Sequence, residues 1–178
     1  MATRTRMARA CGSTFLALGV FAATPAAAEN GGKIGPPLET VKAFGDDFRL
    51  VGIGVSAEGR VFATAPSSIV RSRFSTVEVD PKTGAVTPYP DAGWNSFNEQ
   101  GDGTSQWISV QALWVDKSDH LWALDSSLPK VDQERLPPKL VEFDLSTNHV
   151  IRQYDFKGVV SAKDSLNDLR IDTEHGYA

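Results

Sequence analysis

The sequence has little cysteine and no apolar run long enough to cross a membrane. Its 178 residues include one cysteine, Cys11, and the 150 residues from Glu29 onward have none. An exported protein without disulfides must hold its fold by packing alone. The apolar stretch 15–23 is followed by Pro25 and is shorter than the roughly 20 residues that a membrane-spanning helix needs. The sequence therefore does not predict a transmembrane protein.

Familiar catalytic and metal-binding motifs are also absent. The sequence contains no HExxH zinc motif, no GxSxG nucleophile elbow and no phosphate-binding glycine loop. Its three histidines, His120, His149 and His175, fall in or beside predicted turns, with no second metal ligand at a useful spacing. The motifs therefore predict neither a zinc site nor a particular reaction.

The first 28 residues have the pattern of a secretory signal peptide. Arg4, Arg6 and Arg9 precede the apolar run, and small residues at 26–28 supply a cleavage site before Glu29. We therefore predict a signal peptide over 1–28 and a secreted protein, extracellular or periplasmic. An uncleaved anchor or a disordered tail is the alternative.

Removal of that segment makes the chain more acidic. It takes away three of the 18 basic residues and none of the 22 acidic ones, which leaves 15 against 22 and a formal charge of −7. Such a surface argues against nucleic acid and anionic membranes as partners. It is compatible with a metal ion or a cationic small molecule, although many acidic surfaces are simply solvated.

The rest of the chain repeats itself at a spacing of nearly sixty residues. The segment 109–125 resembles an earlier one at 53–64 and a later one from 169 to 178. Val55, Val115 and Ile171 coincide when the copies are aligned, at offsets of 60 and 56 residues. Repetition at such a period is typical of propellers and solenoids, in which each unit buries its faces against its neighbours.

Each unit has two predicted hairpins. In the first unit Gly59 can take a positive φ at the corner of the first hairpin. The second hairpins, TVEVDPKTGAV from Thr76 and LVEFDLSTNHV from Leu140, place Gly84 over Asn148, two residue types that tolerate the left-handed conformation. The alternating pattern predicts strands over 50–55, 60–64, 77–79, 85–89, 110–115, 120–124, 140–143 and 150–154. Four antiparallel strands per unit predict propeller blades.

The segments between these strands divide the chain further. Residues 29–47 begin with a Gly- and Pro-rich stretch and are predicted to form an extended linker. Long polar loops are predicted at 91–106 and 129–138, and loops of that length commonly bind or cover something. Trp94 and Phe97 in the first loop could line a ligand mouth or cap the edge of the sheet.

Three motifs, SVQALWVDKSDHLWALDSS, PPKLVEFDLSTNHVIRQYDF and LNDLRIDTEHGYA, resemble the yellow and major royal jelly protein family, which has bacterial members. The resemblance implies an all-β, secreted, six-bladed β-propeller of more than twice this mature length. It assigns blade one to 48–90, blade two to 107–155 and the start of a third blade to 165–178. The chain is thus expected to be a truncated, N-terminal part of an incomplete propeller (48–178), with the missing blades as its partners. A disulfide usual in insect members is absent, because Leu136 stands at one cysteine position and the turn 117–119 has no cysteine.

Candidate ligand-binding residues lie where inner strands begin. Gln111 and Asn167 are equivalent in the alignment, and Asp168 follows Asn167. Asn167 resembles the metal-binding asparagine of gluconolactonase-like propellers, which implies a divalent cation such as Ca²⁺. The alternatives are a hydrogen bond to a neighbouring blade for Asn167 and Asp168, and a water-filled channel beside Gln111.

Two further pairs are predicted to be structural. Asp116 and Asp172 follow apolar strands and are expected to accept hydrogen bonds from their own turns. Trp114 and Trp122 are expected to pack between blades, an aromatic wall for an amine or indole ligand being the alternative.

Two functions follow from these observations. The first is an exported protein that binds a small molecule at the propeller channel. The second is an enzyme, either a metal-dependent lactonase or an isomerase acting on oxidised catechols. A chain without independent function is the third possibility.

Overall fold

A computed structural model describes residues 35–69, 71–97, 101–127, 136–161 and 164–178. The predicted signal peptide and the first part of the predicted linker lie outside these ranges. The chain divides into Met1–Pro37 and Leu38–Ala178, and the second unit is described below. Its strands are β1 Gly52–Val55, β2 Val61–Thr64, β3 Thr76–Val79, β4 Val86–Pro88, β5 Val110–Val115, β6 His120–Asp125, β7 Lys139–Asp144 and β8 His149–Asp155. No helix that could cross a membrane occurs among the described residues.

The eight strands form two antiparallel sheets. The first sheet has the order β1-β2-β3-β4 and the second the order β5-β6-β7-β8, so each strand pairs with the next one along the chain. Every predicted strand is present within two residues of its predicted bounds. The prediction of an all-β chain with two four-stranded units is therefore confirmed for the described residues.

The predicted corners take the left-handed backbone conformation. Gly59 has φ +83° and its counterpart Asp119 has φ +59°. In the second hairpins Gly84 has φ +69° and Asn148 has φ +58°. Glycine and asparagine were predicted at such corners because they tolerate positive φ, and that prediction is confirmed.

Both faces of the second sheet are apolar. Leu121 and Ala123 point toward the first sheet and pack with Phe62 and Phe143 in a buried cluster. Because side chains alternate along a strand, the intervening residues of β6 face the other way. Trp122 and Leu124 belong to a different cluster, which includes Leu169. Trp122 is therefore a packing residue, as predicted.

The first sheet also has an apolar face that points away from the second sheet. Ala63, Val77 and Val79 form a third cluster on that face, with Phe44 and Phe48 packed against it. The two phenylalanine rings stack with their centroids 4.3 Å apart. Part of the predicted linker thus covers the first sheet.

The innermost strands of the two sheets approach closely at a glycine. A methyl group added at Gly54 would lie 3.3 Å from Leu121 Cδ1 and 3.4 Å from both Leu113 Cβ and Val115 Cγ2. Such distances leave little room for a side chain. Gly54 therefore allows β1 to lie against the second sheet.

Residues 164–178 pack on the far face of the second sheet. Leu169 is buried there, and Leu166 and Ile171 pack beside it. A single antiparallel bridge joins Asp172 to Tyr177, with no longer strand in the described part of this segment. The hairpin motif predicted here closes as a turn, and its continuation into a third blade stays a prediction.

A buried ion pair connects β6, β7 and the loop that precedes β5. Lys139 Nζ lies 2.7 Å from Asp125 Oδ2 and donates to the carbonyl oxygens of Gly103 and Gln106 at 2.8 Å each. Asp125 in turn accepts the backbone N–H groups of Ile108 and Ser109 at 2.8 and 2.9 Å. A buried charge is tolerated when it is paired and hydrogen-bonded, and both charges meet that condition.

We predict that Lys139→Met destabilises the protein by about 3–5 kcal/mol, since removal of one partner of a buried ion pair leaves the other charge uncompensated. Urea unfolding would measure the free energy of unfolding. The exposed Lys157→Met is the control and should change it by less than about 0.5 kcal/mol. A loss below about 1 kcal/mol for Lys139→Met would show that the pair is not required.

The turn carboxylates predict a loss of stability in acid. Backbone N–H groups of Lys82 and Thr83 lower the pKa of Asp80, and the hydroxyl and backbone N–H of Ser146 lower the pKa of Asp144. A carboxyl group whose pKa is lower in the folded state stabilises the protein at pH values above its unfolded-state pKa of about 3.9. That stability is lost as the pH falls through the folded-state pKa. The variant Asp80→Asn/Asp144→Asn should lose less unfolding free energy than the parent between about pH 5 and pH 2. Equal losses in urea titrations at those pH values would contradict this role.

Candidate functional site

A cleft lies at one end of the two sheets, where the longer connections meet. The β2–β3 connection (65–75) and the β4–β5 connection (89–109) leave and enter their strands at the same end, because the strands are antiparallel. Their described residues enclose about 710 Å³, with Ser67, Arg71, Arg73, Phe97, Trp107 and Ile108 in the lining. Connecting loops on a rigid sheet are a common place for binding residues.

Asn95 fixes the two connections to each other. Its Oδ1 accepts the backbone N–H groups of Ser75 at 2.9 Å and Thr76 at 3.1 Å. Its Nδ2 donates to the carbonyl oxygens of Tyr89 and Asp91, both at 3.0 Å. One side chain thus satisfies four backbone groups, and this wall of the cleft is held in place by hydrogen bonds.

The two predicted aromatic residues of the first loop lie in different environments. Phe97 is half-buried and lines the cleft. Trp94 packs inside, with its ring centroid 4.5 Å from that of Trp107 and 5.4 Å from that of Phe143. Trp107 is buried and donates its indole N–H to Tyr89 O at 2.8 Å. Phe97 therefore contributes aromatic surface to the cleft, whereas Trp94 packs behind its wall, and a ligand role for either residue stays a prediction.

The cleft is basic within an acidic chain. Its described lining includes Arg71 and Arg73 and no carboxylate, whereas the whole chain has a formal charge of −4. Arg73 is exposed, and its guanidinium carbon lies 5.0 Å from the centre of the Phe74 ring. The sequence motifs gave no indication of these arginines as site residues.

The predicted inner-strand residues are not among the described residues that line this cleft. Gln111 Nε2 donates to Asn167 Oδ1 at 3.0 Å, which is the inter-unit hydrogen bond expected as the alternative to metal binding. Asp168 lies 2.9 Å from Arg170, and the backbone N–H of Leu169, followed by Arg170, lowers the pKa of its carboxyl group. The structure thus joins Gln111 to Asn167, and neither residue belongs to the described lining that includes Phe97. A ligand or metal role for Gln111, Asn167 and Asp168 stays a prediction.

A second cavity lies on the far face of the second sheet. It encloses about 390 Å³ and includes Asp116, His120 and Glu142 in its lining, and one ligand atom from each lies within 4.8 Å of the others. The expectation that no histidine has a second ligand nearby is therefore wrong for His120. Sequence spacing missed the group because Glu142 comes from the neighbouring strand β7.

Hydrogen bonds and ion pairs already occupy these carboxylates. Asp116 accepts the N–H groups of Ser118 and His120 with Oδ1 and the indole N–H of Trp122 with Oδ2. Glu142 contacts His120 Nδ1 at 2.8 Å and Arg152 Nε at 2.5 Å. A metal ion would have to displace these partners beside the positive charge of Arg152. The predicted turn role of Asp116 is confirmed.

Asp172 has the same role in the later turn. Its Oδ1 accepts the backbone N–H groups of Glu174 at 3.0 Å and His175 at 3.1 Å. The structural role predicted for this aspartate is confirmed as well.

The repeat explains the contact of His120 with Glu142 as a structural pair between neighbouring strands, which we call a clamp. Arg60 and Glu78 occupy the positions in the first sheet that correspond to His120 and Glu142 in the second. Arg60 binds both oxygens of Glu78 at 2.8 Å and donates to Leu145 O and Asn148 Oδ1 of the second sheet. His120 and Glu142 thus form the matching pair on the next face.

We predict that His120→Leu lowers the free energy of unfolding by about 1–3 kcal/mol, because it leaves one oxygen of the buried Glu142 without a hydrogen-bond donor. His120→Arg should retain most of the stability, since it reproduces the pair found in the first sheet. Urea unfolding of both variants would measure the difference. Equal losses for leucine and arginine would contradict the clamp.

Comparison with known proteins finds a family model that matches the second sheet and the segment after it. Residues 108–177 match the Major royal jelly protein family model. The resemblance predicted from the motifs is confirmed over these residues.

Individual relatives are similar to this chain over longer stretches. Major royal jelly protein 7 of Apis mellifera is 31% identical over 97 residues, which cover 52% of this chain and 21% of that protein. Dopaminechrome tautomerase of Drosophila melanogaster is 30% identical over 116 residues, which cover 61% of this chain and 25% of that protein. The matches therefore cover about a fifth to a quarter of the length of these two relatives.

Among solved structures, the PQQ-bound aldose sugar dehydrogenase of Streptomyces coelicolor has a TM-score of 0.39 and 13% sequence identity. The alignment covers 66% of this chain and 32% of that chain.

Proposed function

We propose that this chain is part of an exported, yellow-like β-propeller protein that binds a small aromatic molecule in the cleft lined by Phe97. The similarity to major royal jelly proteins supports the family. The signal-peptide pattern of residues 1–28 supports export.

The propeller part of the proposal is supported by how the two sheets repeat. Each is a four-stranded meander with the same order, and the two inner strands β1 and β5 are neighbours. Both sheets have apolar faces on each side. Sheets that are apolar on both faces need a neighbour on each side, as in a propeller.

The cleft is the observation that carries the binding proposal. Its volume of about 710 Å³ lies within the range common for small-molecule sites. Phe97 supplies an aromatic surface, and the hydrogen bonds of Asn95 hold the adjoining connections in place. A partly apolar pocket with few charged groups on a rigid frame suits a small organic ligand.

The alternative activity is isomerisation of an oxidised catechol. It is favoured by the similarity to a dopaminechrome tautomerase. The metal-dependent lactonase has no comparable support, because Asn167 Oδ1 already accepts a hydrogen bond from Gln111. We retain the isomerase as the second candidate.

Tryptophan fluorescence of the full chain would test the binding proposal, since Trp107 lines the cleft. Titration with 4-hydroxyphenylpropionate and with tyramine, which share a phenol ring, should give saturable quenching with at least one of them. Phe97→Ala should weaken that binding by roughly two- to tenfold, as expected for loss of about 0.5–1.5 kcal/mol of aromatic contact.

Tyr177→Ala is the matched control, because Tyr177 is an exposed aromatic residue outside the cleft. It should leave the affinity unchanged. A flat response to both ligands, or equal affinities for Phe97→Ala and the parent, would refute binding at this cleft.

A further inference from the structure

The charges of the cleft suggest which ligands it selects. We infer that the cleft prefers small aromatic anions, such as aromatic carboxylates, over aromatic amines of the same size. This inference rests on the proposed binding function and adds the ligand's charge to it. The acidity of the whole chain, by contrast, is compatible with a metal ion or a cationic small molecule.

Arg73 is the residue that carries the inference. It is exposed, lines the cleft and forms no ion pair with a carboxylate of the described residues. Its contact with the Phe74 ring is a cation–π contact, which leaves the N–H groups at the edge of the guanidinium to bind an anion. Guanidinium groups bind carboxylates through two parallel N–H···O bonds.

The other lining residues fit the rest of such a ligand. Phe97 and Ile108 present apolar surface, and Ser67 adds a hydroxyl group that can donate a hydrogen bond. The described lining has no carboxylate that could pair with an ammonium group.

The local charge matters because it opposes the charge of the chain. A formal charge of −4 attracts cations to the surface as a whole. At physiological ionic strength that general field is screened beyond about 8 Å, whereas a group in contact with Arg73 is screened much less. The cleft can therefore prefer anions on a protein that is acidic overall.

The matched ligands 4-hydroxyphenylpropionate and tyramine test this selectivity, because they differ chiefly in the sign of one charge. Fluorescence titration of the full chain at about 50 mM salt should give a dissociation constant about fivefold lower for the carboxylate, as expected for a charge contact worth about 1 kcal/mol. Arg73→Gln should bring the two constants within about twofold, and Arg73→Glu should reverse the preference. Arg49→Gln, outside the described lining, is the control and should keep the parent preference.

The outcomes separate the inference from the proposal on which it rests. Binding of both ligands with equal constants, or tighter binding of tyramine, would overturn the anion preference and leave small-molecule binding intact. A preference that survives Arg73→Gln would also overturn it, because another group would then carry the selectivity. Failure of both ligands to bind would refute the inference and the binding proposal together. Retained far-UV circular dichroism in each variant would show that the comparison is made on folded protein.

Discussion

The buried pair of Lys139 and Asp125 is the constraint on which the cleft end of the second sheet depends. Lys139 holds the carbonyl groups of Gly103 and Gln106, and Asp125 holds the N–H groups of Ile108 and Ser109. These backbone groups belong to the connection that enters β5. The ion pair and its hydrogen bonds thus hold the backbone where the chain passes from the first sheet to the second. The position of Trp107 and Ile108 in the cleft wall follows from that arrangement.

Most of the fold could be predicted because its signals are local. The corner at Asn148 is marked by its own residue type, and each strand by alternation over a few residues. Phe97 could be predicted because a long loop carries it. The ion pair of Lys139 could not, since it joins β6 to β7 and to a loop over 30 residues away. Its lysine reads as an ordinary surface charge in the sequence.

The repeat links features that separate motif searches treat as unrelated. The pair of Arg60 with Glu78 differs in residue type from the pair of His120 with Glu142. The two pairs nevertheless occupy the same place in successive sheets. A histidine beside two carboxylates would otherwise suggest a metal centre. The comparison with the first sheet favours a clamp, and it leaves the basic, loop-lined cleft as the stronger candidate for binding.

Gly54 in β1 has a consequence for how the two sheets pack against each other. At Gly54 the gap between the two sheets leaves little room for a methyl group, whereas toward β4 the same gap holds the rings of Phe62, Tyr89 and Phe143. The layer of side chains between the two sheets is therefore thin at its inner edge and thick at its outer edge, like a wedge. The two sheets thus diverge away from the glycine side, and the size of the side chains between them sets the angle at which they diverge.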